Sequence, residues 1–431
     1  MKRSLGFILS SLLMLSLSVG TAQEDLSGTT VTIFGAFTDS SEVNAVNEGL
    51  VSFEGETGVD VVYEGASDFE ILINTRVEAG DPPDIACFPQ PGLMNRFADQ
   101  IVDVTSFLER DYLEGQYIPG MVDISESYDG SDKVLGVWTR VVVKSLVWYS
   151  PQMFDDFGYE VPETWDELMA LSDQIVEDGG VPWSVSMESG AATGWVGTDW
   201  IEDIMLRTTS LENYDRWTVP ASEEERLPFT SEEVRGAWEL MGNVFLNEDY
   251  VLGGTNRILG VSFFDTGVPV VEGQAFMTKM GSFMPPWLGD RLANIDIAPD
   301  GDLWYFLLPE IDEEYGRPVL IGGDVCAMFN DRPEVRAVME YLTTGESLRP
   351  GIEAGVFLSP HTDADAEWYR AEERGLAEIL LNADAVRFDG GDLQPADVGA
   401  GTFWQGIVNY VGGTRDLDAV LQDIDASWPS N

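Results

Sequence analysis

Apolar positions recur along the chain with two periods, and the order in which the periods alternate predicts the architecture. Thr30-Val-Thr-Ile-Phe34 reads as a buried strand, and Ser41 to Glu56 follows with a helical period that puts Val43, Val46, Leu50 and Phe53 on one face. Val59 to Tyr63 is the next strand and Phe69 to Ala79 the next helix, and Gly80-Asp-Pro-Pro83 leads into a strand around Ile85. Strands and helices alternating across short turns predict a parallel sheet with helices on its faces. Such sheets bind ligands beyond the carboxyl ends of their strands. That places Gly35 to Asp39, Gly65 to Phe69 and Phe88 to Gly92 on one rim.

From Val134 the pattern changes to two extended runs, Val134 to Trp138 and Val141 to Tyr149. Lys144 sits in the apolar middle of the second. A buried ammonium is costly unless partnered, so Lys144 must reach a carboxylate or hydroxyl, or extend to water. Thr164-Trp-Asp-Glu167 is a capping box and starts a helix to Glu177. Trp183 to Met187 reads as a strand, and Thr230-Ser-Glu-Glu233 opens a helix to about Leu246. Strands at Ala275 to Met280, Leu303 to Leu308 and Val319 to Ile321 complete a second α/β unit. Helices follow at Pro333 to Leu342, Ala364 to Leu381, Phe403 to Val411 and Leu417 to Ala426. A chain of 431 residues exceeds one compact core. No stretch has linker composition, so two lobes joined by several crossings are expected.

The stretch Gly190 to Ile204 carries the most chemistry. A glycine-rich loop passes Trp195, Asp199 and Trp200 and enters an amphipathic helix, expected to be capped by Thr198 or Asp199. Trp200, on the helix, reads as core. Trp195, on the loop, is open to two readings: a plug for the core, or a flat surface for a ligand with one apolar face and a rim of hydroxyls.

Charge narrows the partners. Seventy-six acidic residues against 23 basic ones give a formal charge of −53, which excludes nucleic acid and anionic membrane surfaces as partners. Lys2 and Arg3 precede an apolar run from Leu5 to Val19 and small residues at Gly20-Thr-Ala22, which predicts a cleaved signal peptide over residues 1–22. No later stretch reaches the ~20 apolar residues of a membrane span, and no cysteine stands at the cleavage site for a lipid anchor. Release into the periplasm or the medium is expected. The two cysteines, Cys87 and Cys326, lie in short apolar runs and are either buried thiols or one disulfide between adjacent strands. His361 is the single histidine and reads as fixing its own loop, so neither a Cys/His nucleophile nor a histidine-based zinc site is expected. We expect no metal and no cofactor.

Three stretches resemble the sugar-binding branch of the ABC-transporter extracellular solute-binding proteins (solute-binding protein family 1), particularly its α-glucoside-binding subgroup. They are Gly194-Trp-Val-Gly-Thr-Asp-Trp-Ile-Glu-Asp203, Glu272-Gly-Gln-Ala-Phe-Met-Thr-Lys-Met-Gly-Ser-Phe283, and Pro395-Ala-Asp-Val-Gly-Ala-Gly-Thr-Phe-Trp404 continued by Asn409 to Asp418. Asp81 to Asp84, Phe88 to Gly92, Val143 to Tyr149 and Gly322-Gly-Asp324 support them, so the likeness spans the mature chain. It implies a two-lobe periplasmic-binding-protein fold (type II), α/β in class, closing about a hinge. The implied crossings lie near Val142–Ser145, Ile321–Asp324 and Trp368–Leu376. The implied lobes are residues 23–143 with 325–370, and 144–324 with 371–431.

Carried over position by position, the resemblance implies a sugar site of Asp68, Phe69 and Gln90 on the first lobe, with Lys144 at the first crossing. Gly323 and Asp324 stand at the second crossing, and Trp195, Asp199, Phe283 and Trp404 on the second lobe. Rings would give apolar contact to a pyranose face, and carboxylates would accept its hydroxyls. Each residue also has a plainer reading: Phe283 and Trp404 as core rings, Asp324 as a turn cap, Lys144 as half of an ion pair. The implied protein is a monomer that is not an enzyme. It takes a small sugar of trehalose, maltose, sucrose or glucosylglycerol type and hands it to ABC permease subunits. The rivals are a secreted glycoside hydrolase, whose acid pair would stand ~5–9.5 Å apart, and the same fold holding a polyamine. No hydrolase signature and no (β/α)₈ repeat is present.

A uniformly acidic surface repels itself at low salt and relaxes as salt shortens the screening length. A salt-rich habitat is the corresponding hypothesis. The melting temperature should rise between dilute and molar salt, and a temperature indifferent to salt counts against it.

Overall fold

The computed structural model describes residues 25–289 and 291–429; the expected signal peptide, residues 1–22, lies outside them. β1 (Thr30–Gly35), β2 (Asp60–Gly65) and β3 (Ile85–Phe88) pair in parallel with β1 in the centre. Val31, Ile33, Phe34, Ile85, Ala86 and Phe88 are buried in this sheet. The expected first helix is Ser40–Thr57. Its N-cap Asp39 accepts the Ser41 N–H at 3.0 Å, and it ends on Gly58, whose φ of 73° only glycine adopts freely. Leu50 and Phe53 face the core as expected, joined by Ala45 and by Glu42.

Next come β4 (Gly136–Val143) and β5 (Leu146–Tyr149). The second lobe then contributes β6 (Met277–Lys279) and β7 (Trp304–Leu307), which flank β5 in an antiparallel sheet. Helices Trp165–Glu177, Trp195–Thr208 and Glu232–Phe245 lie between β5 and β6 along the chain, and the capping box Thr164/Glu167 is formed as expected. Finally β8 (Val319–Met328) enters the first sheet between β3 and β4, antiparallel to both, and β9 (Val386–Phe388) pairs with its start.

β4 and β8 are the connection between the sheets. The extended run expected from Val141 to Tyr149 is broken at Lys144-Ser145, because the residues on either side pair in different sheets. Ser145 fills the step. Its carbonyl accepts the Leu308 N–H at 2.9 Å and its hydroxyl accepts the Leu320 N–H at 2.8 Å. The strand expected at Val319–Ile321 is longer, all ten residues of β8 being buried. Trp183 to Met187 makes only isolated bridges, through Trp183 to Val251 and Met277, instead of a strand. The long helix expected from Ala364 is a single turn at Ala366–Trp368, followed by Ala371–Asn382.

Cys87 and Cys326 form a disulfide across the β3–β8 pair and close a loop of 239 residues. The open choice between thiols and disulfide is thereby resolved. Replacing both with Ala should lower stability by about 2–5 kcal/mol, the range for native disulfides. The reading is a lower urea midpoint; equal midpoints for variant and oxidised protein contradict it.

Candidate functional site

Residues of both lobes and of the β4 and β8 crossings enclose a cavity of about 170 Å³. A second cavity of about 550 Å³ lies beyond Val142, which lines both. Rings and charges converge on the first.

The second-lobe wall is aromatic. Trp195 meets Phe263 and Phe283 edge-on at 5.1 and 5.9 Å, and Trp287 lies against Phe283 and Phe264 at 4.8 and 4.7 Å. The turn bearing Phe283 is tied to the crossing: Ser282 N–H donates to the Val143 carbonyl at 2.8 Å, and the Ser282 hydroxyl accepts the Val143 N–H at 3.1 Å. Trp195 is the first residue of helix Trp195–Thr208, which begins earlier than the expected Thr198 or Asp199 cap. Gly194 takes the N-cap with φ 124°, and a side chain there would strike the Trp404 backbone. The Thr198 hydroxyl donates instead to the Trp195 carbonyl at 2.9 Å.

Arg140, Val142 and Lys144 follow one another at alternate positions and all three line the cavity. Arg140 donates to Glu42 at 2.8 Å and to Asp324, with its guanidinium 4.2 Å from the centre of the Phe37 ring. Lys144 is held by Asp199 at 3.0 Å and by Asp389, with Asp392 3.6 Å away. Its ammonium stands 5.7 Å from the centre of the Trp195 ring. Burial opposes the charge on Lys144, but Asp199, Asp389 and Asp392 outweigh burial and hold it well above the usual lysine range. Burial pushes Asp199 up to about 7 despite Lys144. Burial also pushes Glu202 well up, with Asp389 adding to it. On the first lobe, Gln90 donates to Glu70 at 3.4 Å, and burial raises Glu70 to about 6.

Oxygens of Asp199, Glu202 and Asp389 lie within 4.8 Å of one another, close enough to surround a cation. The chain supplies that charge itself, as the Lys144 ammonium bonds two of the three.

Seven of the ten expected site residues line the cavity: Gln90, Lys144, Trp195, Phe283, Gly323, Asp324 and Trp404. Gly323 has no room for a side chain, since a Cβ would stand 2.5 Å from the Arg140 carbonyl. The other three lie elsewhere. Phe69 is fully buried between the rings of Phe34 and Phe88 at 5.2 and 5.4 Å. Asp68 is exposed at the start of helix Phe69–Glu78, facing Gly190 of the other lobe. Asp199 sits behind Lys144. Glu42, Glu70, Arg140, Asp392, Phe263, Phe264 and Trp287 line the cavity and were not anticipated. Arg140 was within reach of the sequence, being four residues before Lys144 on one face of an extended run. Glu70 was one residue from the expected Phe69.

The family described as bacterial extracellular solute-binding protein matches residues 36–347. The osmoprotective compounds-binding protein GgtB of Synechocystis sp. is 41% identical over 404 residues, covering 93% of this chain and 92% of that protein. The alpha-glucosides-binding periplasmic protein AglE of Rhizobium meliloti is 36% identical over 419 residues, covering 94% and 88%. A solved chitin oligosaccharide binding protein superposes with a TM-score of 0.76 at 16% identity, covering 92% of this chain and 97% of that one. This last likeness concerns the fold, which is the two-lobe type II periplasmic-binding-protein fold. A cleft between lobes and a family match over most of its length lead to one conclusion: the chain belongs to the bacterial extracellular solute-binding proteins.

Proposed function

We propose that this protein is the solute receptor of an ABC importer and carries an α-glucoside of trehalose, maltose, sucrose or glucosylglycerol type. It works in the periplasm or outside the cell, as a monomer, and delivers the sugar to the permease unchanged. The observation that carries the reading is the meeting of two kinds of side chain in one cavity. Rings (Trp195, Phe283, Trp287 and Trp404) line it together with acids and bases (Glu42, Arg140, Asp324, Lys144 and Asp392). A pyranose offers the matching pair, a flat C–H face and a rim of hydroxyls that both donate and accept. AglE, named for alpha-glucosides, and GgtB, named for osmoprotective compounds, support the same class.

In this reading residues 23–143 with 325–370 form the first lobe, and 144–324 with 371–431 the second. Gln90, Lys144, Gly323 and Asp324 meet the hydroxyl rim, and Trp195, Phe283 and Trp404 the ring faces. Asp68 closes the mouth, Phe69 backs the first-lobe wall and Asp199 aims Lys144. Half-sites on two lobes make the closed form the tighter binder, so the ligand draws the hinge shut.

Calorimetry with trehalose, maltose, sucrose and glucosylglycerol should give saturable heat and no product; turnover of any of them overturns the reading. Trp195→Ala should weaken binding by about tenfold, the loss of one stacking surface. Because Trp195 is only half-buried, the melting temperature should move little; unchanged affinity removes it from the site. Glu70 keeps its charge above about 6. Affinity should therefore fall as the pH drops through that value, and Glu70→Gln should abolish the fall.

A further inference from the structure

Asp392 enters the cavity from the short helix Gly390–Leu393 and is 7% exposed. Its backbone N–H donates to Asp389 at 2.8 Å. Among the described residues no hydrogen-bond donor reaches its carboxyl oxygens, and the facing cation, Lys144, stands 3.6 Å away. That ammonium is already committed to Asp199 and Asp389. Four buried carboxyls, Asp199, Glu202, Asp389 and Asp392, therefore share one cation from the crossing. The next cation, Lys279 on β6, is bound to Asp203 at 3.2 Å and to the carbonyls of Lys144 and Asp199. From β8, Asp324 adds another negative charge, which Arg140 on β4 takes up. Buried carboxyls sharing one cation cannot all ionise. The two that Lys144 does not hydrogen-bond, Glu202 and Asp392, are the ones that keep their protons, and of these Asp392 enters the cavity.

We propose that Asp392 meets the ligand as a neutral carboxylic acid and donates its O–H to an ether or hydroxyl oxygen of the sugar. The inference rests on the sugar-binding reading of the cavity. Burial and Asp389 push Asp392 well above the usual carboxylate range, against Lys144 and with Asp199 and Asp324 adding to the push. A neutral acid selects differently from a carboxylate. An acetal oxygen has no hydrogen to give, so an ionised Asp392 would repel it, whereas the O–H of a neutral one binds it. Preference thus moves toward ligands that place a ring or glycosidic oxygen at this wall, and away from those that place an ammonium there.

The test is calorimetric titration of trehalose and glucosylglycerol into wild type, Asp392→Asn and Asp392→Leu, from about pH 5 to about pH 9. Wild-type affinity should fall once rising pH ionises the carboxyl, by up to about tenfold per pH unit for a single proton. Asp392→Asn, whose amide donates without titrating, should lose that fall and stay within about tenfold (1.4 kcal/mol) of wild type at the acid end. Asp392→Leu, which cannot donate, should bind more weakly than Asp392→Asn throughout. An Asn variant no better than Leu overturns the proposal, and so does a wild-type affinity that rises with pH at the alkaline end. A flat wild-type profile leaves the decision to the Asn and Leu pair. If wild type binds neither sugar, the sugar reading itself is what fails.

Discussion

Two cations on one strand hold this molecule together at the point where its halves meet. Arg140 and Lys144 stand four residues apart on β4 and the step that follows it, both on the cavity and both largely covered by their partners. Taking a partner away from a buried ion pair costs about 3–5 kcal/mol, so each cation commits the elements that neutralise it. Arg140 binds Glu42 of helix Ser40–Thr57 and Asp324 of β8. Lys144 binds Asp199 of helix Trp195–Thr208 and Asp389 before helix Gly390–Leu393. One strand therefore fixes the first-lobe wall at one end and the second-lobe wall at the other. The walls of the cavity are set by the electrostatics of its floor, and Trp195 is held over that floor by the same lysine.

Much of this was legible in the sequence, and the residues explain how far. Strands and capped helices follow from local periodicity, and β1 to β3 with their helices match it closely. An ammonium in an apolar run announced that Lys144 needed a carboxylate, without saying which. The partners come from 55 and 245 residues away, and no local pattern encodes that distance. The same limit applies to the break at Lys144-Ser145, since apolar alternation is identical whether neighbours pair in one sheet or two. Thr198 and Asp199 are good caps and predict a loop at Trp195; the crowding of Gly194 by the Trp404 backbone, 210 residues on in sequence, decides otherwise. Phe69 and Glu70 are neighbours on a helix, where adjacent residues point about 100° apart, so Phe69 faces the core and Glu70 the cavity.

In the proposed closure, the division of labour between the walls is what makes it selective. Rings reward any flat apolar face, with little regard for where hydroxyls sit. The acids and bases opposite are directional, and a buried partner left unpaired is penalised. A ligand that satisfies only the rings can occupy the open form, but it leaves charges dehydrated when the lobes shut. The closed population then rises only for ligands that satisfy both surfaces, by as much as their affinities for the two states differ.

The charge of −53 and the chemistry of the cavity belong to one argument. A strongly negative protein draws cations toward it without discrimination and repels anions. A neutral solute feels neither, so a receptor for one must keep its cavity locally balanced while its surface is not. Beneath and around the cavity four cations meet five of the acids: Lys144 answers Asp199 and Asp389, Lys279 and Arg207 share Asp203, and Arg140 answers Glu42 and Asp324. The surplus carboxyls, Glu202 and Asp392, are pushed by burial well above the usual carboxylate range. In the proposed reading, an acidic exterior around a largely ion-paired interior suits an uncharged polyol, since a polyamine would be served by acids left free.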